Sequence, residues 1–450
     1  MHIPRLVGRV VILFCLSQIL VLFVLRTLSA AQERSSAAST HSKMALRRAH
    51  RFPDAAEKPI ANWSGPVFSL SQDYPVWKPV AESQPWKKYD FSKEDEWKDY
   101  LASVLHYCVE GNVETDWVLQ KNTVRRWYHA PWMHWGPSGR EFIHGLTHER
   151  GSRPKELAPT QVSVFQNWAV GMYNAPGGWV IGKVWKDADH PDPNAFKGFP
   201  DGTVSIKLLF TEADTTEVPY LVGSKEWDAY IYDKIENPIN PNGVRKVKKM
   251  RLVQVDIAVR DSRNDAITGW VFGTFTYNGA LKGGSPYEKL VPIGIMWGND
   301  PDASSPGDPL KQAFINSSPD VPKQHLGWNG RLNGPVDNPM SSCLSCHSTS
   351  EWPVNAGTTP GQGAQPGTPE WMKWFRNIKS GEAFAPGSKS LDYSLQLASG
   401  IQSFNQWNDM IMSLGGAFNG TPAPPNAGLK LLQKASPSRE NYPVTRDPEM

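Results

Sequence analysis

The 450-residue sequence predicts an α+β protein: a β-rich antiparallel sheet or barrel followed by a small, mainly helical region. Three observations carry that expectation. Between about Val162 and Trp297, short runs of β-branched and aromatic residues alternate with Gly, Pro and Asp, which punctuate strands. Beyond a clear loop signal from Asp300 to Asp308, apolar residues recur at helical spacing in Pro369–Ile378 and Leu391–Leu414. The composition, 40% hydrophobic and 20% charged, is that of a globular chain, long enough for two or three domains with their own cores.

Taken in chain order, the first element is a leader. Arg5 and Arg9 precede the apolar run Val10–Leu25, and Ser29-Ala30-Ala31-Gln32 offers small residues for cleavage after Ala31. Residues 1–31 therefore read as a secretory signal peptide or, uncleaved, a membrane anchor. Either way the bulk of the chain is expected outside the cytoplasm. Residues 32–62, rich in Ala, Ser, Arg and Glu without apolar periodicity, read as a flexible tether. Its basic run Lys43–Arg51 suits a solvated linker or a contact with anionic lipid.

Residues 63–160 form a helical and aromatic/His-rich segment. Trp97, Leu101, Val104, Leu105 and Cys108 lie at helical spacing, and Ser92 is a candidate cap. Cys108 then falls on the apolar side, which makes it buried and inert. Residues 161–300 are the β-rich domain, with strands expected at Val162–Val164, Gly178–Val184, Thr203–Phe210, Leu252–Arg260, Gly269–Tyr277 and Val291–Trp297. Gly283-Gly284-Ser285 is a turn and not a phosphate cradle. Residues 301–425 make up the last ordered region, and the Pro-rich 426–450 a disordered tail.

Chemistry is concentrated at Cys343-Leu344-Ser345-Cys346-His347, which fits C-x-x-C-H, the attachment signature of c-type haem. Two thiols spaced by two residues reach the two vinyl groups of one porphyrin edge, and the next residue supplies an imidazole to iron. The remaining cysteines are Cys15 in the leader and the isolated Cys108, so a disulfide framework is excluded. A thioredoxin-like dithiol needs a βαβ context, and Asn338-Pro339-Met340 and Thr349–Pro353 do not supply one. A zinc site needs further Cys or His ligands, and none follows His347 at matching spacing.

On residues 343–347 the chain resembles c-type cytochromes. The resemblance covers the motif and about 80 residues after it, without a helix just before Cys343 and without the Met-Pro pair that often carries the sixth ligand. The layout, with Phe199-Pro200-Asp201-Gly202-Thr203-Val204-Ser205-Ile206-Lys207 in its β part, is similar to β-sheet c-type cytochromes, including those with a Lys crosslinked to the haem. That likeness implies an open distal iron face.

Candidate distal ligands are Met410 or Met412, about 65 residues past the motif; Met372, Met340 and His325 follow them. Both methionines could equally fill a core. A second dense region runs from Arg125 to His148 and holds His129, His134, His144 and His148. It reads as an aromatic, polar seam. The other readings are a haem-facing group, or a metal held by His144 and His148 at i, i+4 on one helical face. Arg125, Arg126 and Arg140 are candidates for pairing with haem propionates.

The expected protein is an exported single-haem c-type cytochrome, covalently carrying one haem c and passing electrons to a redox partner protein in the periplasm. The alternative is a haem enzyme or small-ligand binder whose open iron site is shaped by the β-rich domain. The net charge of +3, mixed along the chain, and the lack of a basic block with interleaved aromatics exclude nucleic acid as a partner. The 19 Trp point to large aromatic packing surfaces, which serve a core as readily as a cofactor.

Overall fold

In the computed structural model the described residues are 59–413, apart from 81, 134–139, 235–242, 320, 322 and 362. Up to Asp409 they belong to one compact unit; Met410–Ser413 fall in a second. The expected leader, most of the tether and the C-terminal tail lie outside the described residues.

The centre is one antiparallel sheet of nine strands: β1 (Trp127–Tyr128), β2 (Thr147–His148), β3 (Asn167–Asn174), β4 (Val204–Thr211), β5 (Glu226–Tyr232), β6 (Arg245–Arg260), β7 (Trp270–Tyr277), β8 (Leu290–Met296) and β9 (Ala313–Ile315). The main path runs β1-β3-β4-β6-β7-β8-β9, with β2 joining β3 and β5 joining β6. The path does not return on itself, so the sheet is open and the barrel reading falls away. The 16-residue β6 organises it: Arg245–Arg251 pair with β5, and the following residues with β4 and β7.

Expected strands at Thr203–Phe210, Leu252–Arg260, Gly269–Tyr277 and Val291–Trp297 match β4, β6, β7 and β8. Gly178–Val184 does not. It belongs to helix α2 (Ala175–Val184), which follows α1 (Trp97–Val109). Asn174 caps α2 by accepting from the Gly177 N–H, and Pro176 lies in its first turn, a helix-start signal that outweighs the β-branched run after it. Gly178 lets α2 lie against Tyr128, because a Cβ there would meet that ring at 2.3 Å. Val162–Val164 forms no strand; only the bridge Ser152–Phe165 is made nearby.

Alternation gives the sheet two unlike faces. One carries Ile206, Leu208, Val255, Ile257, Val271 and Phe275, all buried, and receives α1. Leu101 of α1 fits over Gly273, where a Cβ would collide at 2.3 Å. The expected helix at Trp97–Cys108 is thus present and Cys108 is fully buried, but Glu96 and not Ser92 stands at its cap; Ser92 bonds Asp90 instead.

Past β9 the chain is less helical than expected. Among the described residues it forms α3 (Cys343–His347), a single turn α4 (Pro369–Met372) running into a 3₁₀ turn, a two-stranded ribbon of β10 (Glu351–Trp352) and β11 (Lys389–Ser390), and α5 (Leu395–Ser413). The rest is ordered loop, anchored by buried polar groups such as Arg331, whose guanidinium donates to the carbonyls of Asn299, Asp300 and Ala303. Of these elements, α3 and the start of α5 lie on the second face of the sheet.

Candidate functional site

The second face is defined by one row of directly paired residues: Gly171 on β3, Lys207 on β4, Asp256 on β6, Thr274 on β7 and Gly294 on β8. Polar side chains occupy the middle, and glycines the two ends. The glycines admit the chain that flanks the motif. A Cβ on Gly171 would lie 2.1 Å from the amide of Gln396, near the start of α5, and one on Gly294 would first meet the Phe314 carbonyl of β9 at 2.5 Å and then Leu332 at 3.2 Å. Leu332 in turn holds α3, because its carbonyl accepts from the Cys343 N–H at 3.1 Å.

The motif helix is short and tightly capped. Ser342 accepts from the Ser345 N–H at 3.1 Å, while the Ser342 N–H donates to Ser345 Oγ at 2.7 Å, a reciprocal capping box. Cys343 is buried, with Sγ 3.5 Å from Thr274 Oγ1, and Cys346 is partly exposed; neither forms a disulfide. Burial pushes both thiols up, that of Cys346 to about 12.

His347 has one ring nitrogen engaged. Its Nδ1 lies 2.8 Å from the Tyr393 carbonyl, which only accepts, so Nδ1 carries the proton and Nε2 keeps its lone pair. Nε2 has no hydrogen-bond partner among the described residues. Burial holds the imidazole's pKa down to about 4, so the ring is neutral, as a metal ligand must be. The ring packs on Phe272 at 5.0 Å.

Tyr393 is held at an unusual backbone. Asp392 and Tyr393 have φ of 51° and 65°, a left-handed pair that side chains rarely adopt. The Asp392 carboxylate supports it by accepting from the Phe199 N–H at 3.0 Å and from Trp270 Nε1 at 2.9 Å. Asp392 thus positions the carbonyl that orients His347. Spacing did not reveal it; the only sequence signal was an Asp, a residue tolerant of this region, just before a helix.

Beside the motif the sheet presents charges. Lys207 Nζ binds Glu149 at 2.8 Å, and both side chains are 28% exposed, so this part of the face is open to water. Burial works against the Lys207 charge, but Glu149 and Asp337 outweigh it and its pKa is raised. Gln254 Nε2 donates to both oxygens of Asp256 at 2.9 Å and to Asp337 at 2.8 Å.

The other candidates are dispersed. His144 stacks on Trp227 at 4.3 Å, and His148 packs edge-on against Trp168 and Tyr232. No helix spans them, since Gly145 has a φ of 73° and His148 ends β2, so the i, i+4 metal reading fails. Among the described residues no group of three His, Cys, Asp or Glu could hold a metal ion. His129 is buried and accepts from the Ser71 N–H; burial, then Arg140, lowers its pKa. This is the aromatic seam. His325 is buried against Tyr220, with Nε2 on the Leu157 carbonyl. Arg125 binds Glu110, Arg126 faces Asp73 at 3.6 Å, and Arg140 donates to the carbonyls of Gly145 and Ala130. His134 and the side chains of Met410 and Met412 lie outside the described residues.

The donor set fits a covalently held haem: two thiols outside any disulfide one helical turn apart, followed by a neutral imidazole with Nδ1 fixed and Nε2 without a hydrogen-bond partner among the described residues. No described helix is long and apolar enough to cross a membrane. Comparison with protein-family models, curated proteins and solved structures finds no match.

Proposed function

We propose that this chain is an exported protein carrying one haem c, with thioethers to Cys343 and Cys346 and His347 Nε2 on the iron. The observation that carries the reading is the orientation of His347, whose Nδ1–H is held by the Tyr393 carbonyl while Nε2 has no hydrogen-bond partner among the described residues. Haem bound there would supply an iron able to take up one electron or bind a small ligand opposite His347.

Of the two roles such a haem can serve, the open-site one is better supported. Lys207, Glu149, Asp256 and Asp337 gather beside the motif, where a simple carrier would profit from an apolar wall. Lys207 also closes the Phe199–Lys207 string that is similar to β-sheet c-type cytochromes. In this role the chain's residues keep His347 neutral and oriented and admit water and small polar molecules at Lys207 and Glu149.

The test is a pyridine haemochrome spectrum of full-length protein matured with a c-type haem system, followed by carbon monoxide addition to the reduced form. A covalent c-type signature that survives a denaturing gel and disappears in the Cys343→Ser/Cys346→Ser variant is expected, together with a carbon monoxide shift. Haem that ignores carbon monoxide would return the protein to the electron-carrier role; absence of haem would end the reading.

A further inference from the structure

Gln254 is fully buried, and its direction is not free. Its Oε1 accepts from the Val336 N–H at 3.1 Å, so its amide nitrogen must face the two carboxylates. Gly334 makes that approach possible, because a Cβ there would lie 2.2 Å from the Gln254 amide. The result is two carboxylates, from a central strand and from the loop that leads to α3, gathered on one neutral nitrogen.

The charges around them do not balance. From β4, directly opposite Asp256, comes Lys207, but its ammonium is bound to Glu149. From the chain after β2, Arg150 is bound to Glu156 and touches only the backbone carbonyls at Val336 and Asp337. From β7 comes the neutral Thr274, and from α3 the two cysteines. With every acid ionised, Glu149, Glu156, Asp256 and Asp337 face Lys207 and Arg150, an excess of two negative charges in a crowded place. Two carboxylates this close do not both ionise readily at neutral pH, because burial and mutual repulsion favour one retained proton. Burial, then the Asp337 charge, pushes Asp256 up to about 7, and burial raises Asp337 as well.

This pair is connected to the motif. Thr274 Oγ1 donates to Asp256 at 2.9 Å and lies 3.5 Å from Cys343 Sγ, the sulfur that would join the porphyrin edge. We propose that Asp256 and Asp337 form a redox-linked proton site, taking up one proton when an electron reaches the haem from a one-electron reductant and releasing it when the electron leaves. This rests on the haem reading of Cys343–His347. The balance is one electron and one proton in: an O–H bond forms on the Asp256 carboxylate as one breaks in a solvent hydronium ion. The partly exposed neighbourhood of Lys207 and Glu149 gives the proton a path from water.

The experiment is a spectroelectrochemical titration of the full-length haem protein between pH 5 and 9, with haem content fixed beforehand by pyridine haemochrome. The midpoint potential should fall with rising pH around neutrality, toward the ~59 mV per pH unit of one proton per electron, and flatten on either side. Asp256→Asn should remove the slope at unchanged haem content. Asp337→Asn should move the bend to lower pH, and serves if the first variant does not fold. In the haem-free protein, the infrared band of a protonated carboxyl should persist at pH 6 and vanish in Asp256→Asn. A chain that takes up no haem overturns the haem reading. Haem bound with a potential independent of pH, or a slope that survives both substitutions, overturns the proton link alone.

Discussion

The two faces of the central sheet come from the same strands, yet they are built on opposite terms. On the α1 side, Ile206, Val255, Ile257 and Phe275 share one buried apolar cluster with Leu101 and Trp97. On the motif side, the residues one position along are Lys207, Asp256 and Thr274, and every polar group there needs a partner. Burying apolar surface is favourable without regard to direction, whereas burying charge is tolerated only with specific bonds. The first face therefore supplies stability, and the second gives up some of it to hold its charged and polar groups. Glycine works on both. Gly273 admits Leu101 on the apolar side, and Gly171 admits Gln396 at the start of α5 on the polar side.

This contrast is open to breakage. The largest effect is expected from Leu101→Ala, which opens a cavity over Gly273 and should cost about 2–5 kcal/mol in urea unfolding. Haem uptake per folded molecule should be unchanged; a loss of haem at full stability would show that the faces are not separable.

Asp392→Ala should act the other way. It removes two hydrogen bonds to a carboxylate under a left-handed turn, costing about 1–3 kcal/mol. Its distinctive sign is at His347: with the Tyr393 carbonyl released, imidazole orientation is lost and the iron spectrum should become heterogeneous. Asp392→Asn keeps one acceptor but turns its NH2 toward the other N–H donor, so it should restore only part of it. An unaltered spectrum in the alanine variant would remove Asp392 from its positioning role.

The smallest effect is in pH. Burial holds the pKa of His325 near 4, below its ordinary 6.5, so its contribution to stability is complete above 6.5 and is lost as pH falls through about 4. Asp256, raised to about 7, has the opposite sign: its contribution is complete below the ordinary 3.8 and is lost as pH rises through about 7. The haem-free Asp256→Asn variant should therefore gain a few degrees in Tm (~2–4 °C) over the parent at pH 8 and none at pH 4. A gain of equal size at both values would assign the effect to packing.

What was legible follows the reach of each signal. Period-two alternation in Val253–Val259 exposed β6, and the 3.6-residue spacing of Trp97–Cys108 exposed α1, because both are local. β3, whose Asn167–Asn174 mixes Trp, Ala, Gly and Tyr, gave no such alternation: its polar ends and Gly171 answer to neighbours distant in sequence. Gly178–Val184 misled because β-branched residues are neutral about helix or strand once Asn174 and Pro176 have set the start.

By itself the sequence determined the C-x-x-C-H signature, the antiparallel β-rich class and α1, since each depends on residues close along the chain. Only the tertiary structure decided that His347 faces Tyr393, that Asp392 holds that turn, and that Lys207, Asp256 and Asp337 lie beside the motif. Those groups come from strands and loops up to about 190 residues apart, and it is sheet register and burial that bring them together. The energetic character of a charged side chain is likewise set by what surrounds it, which no local pattern encodes.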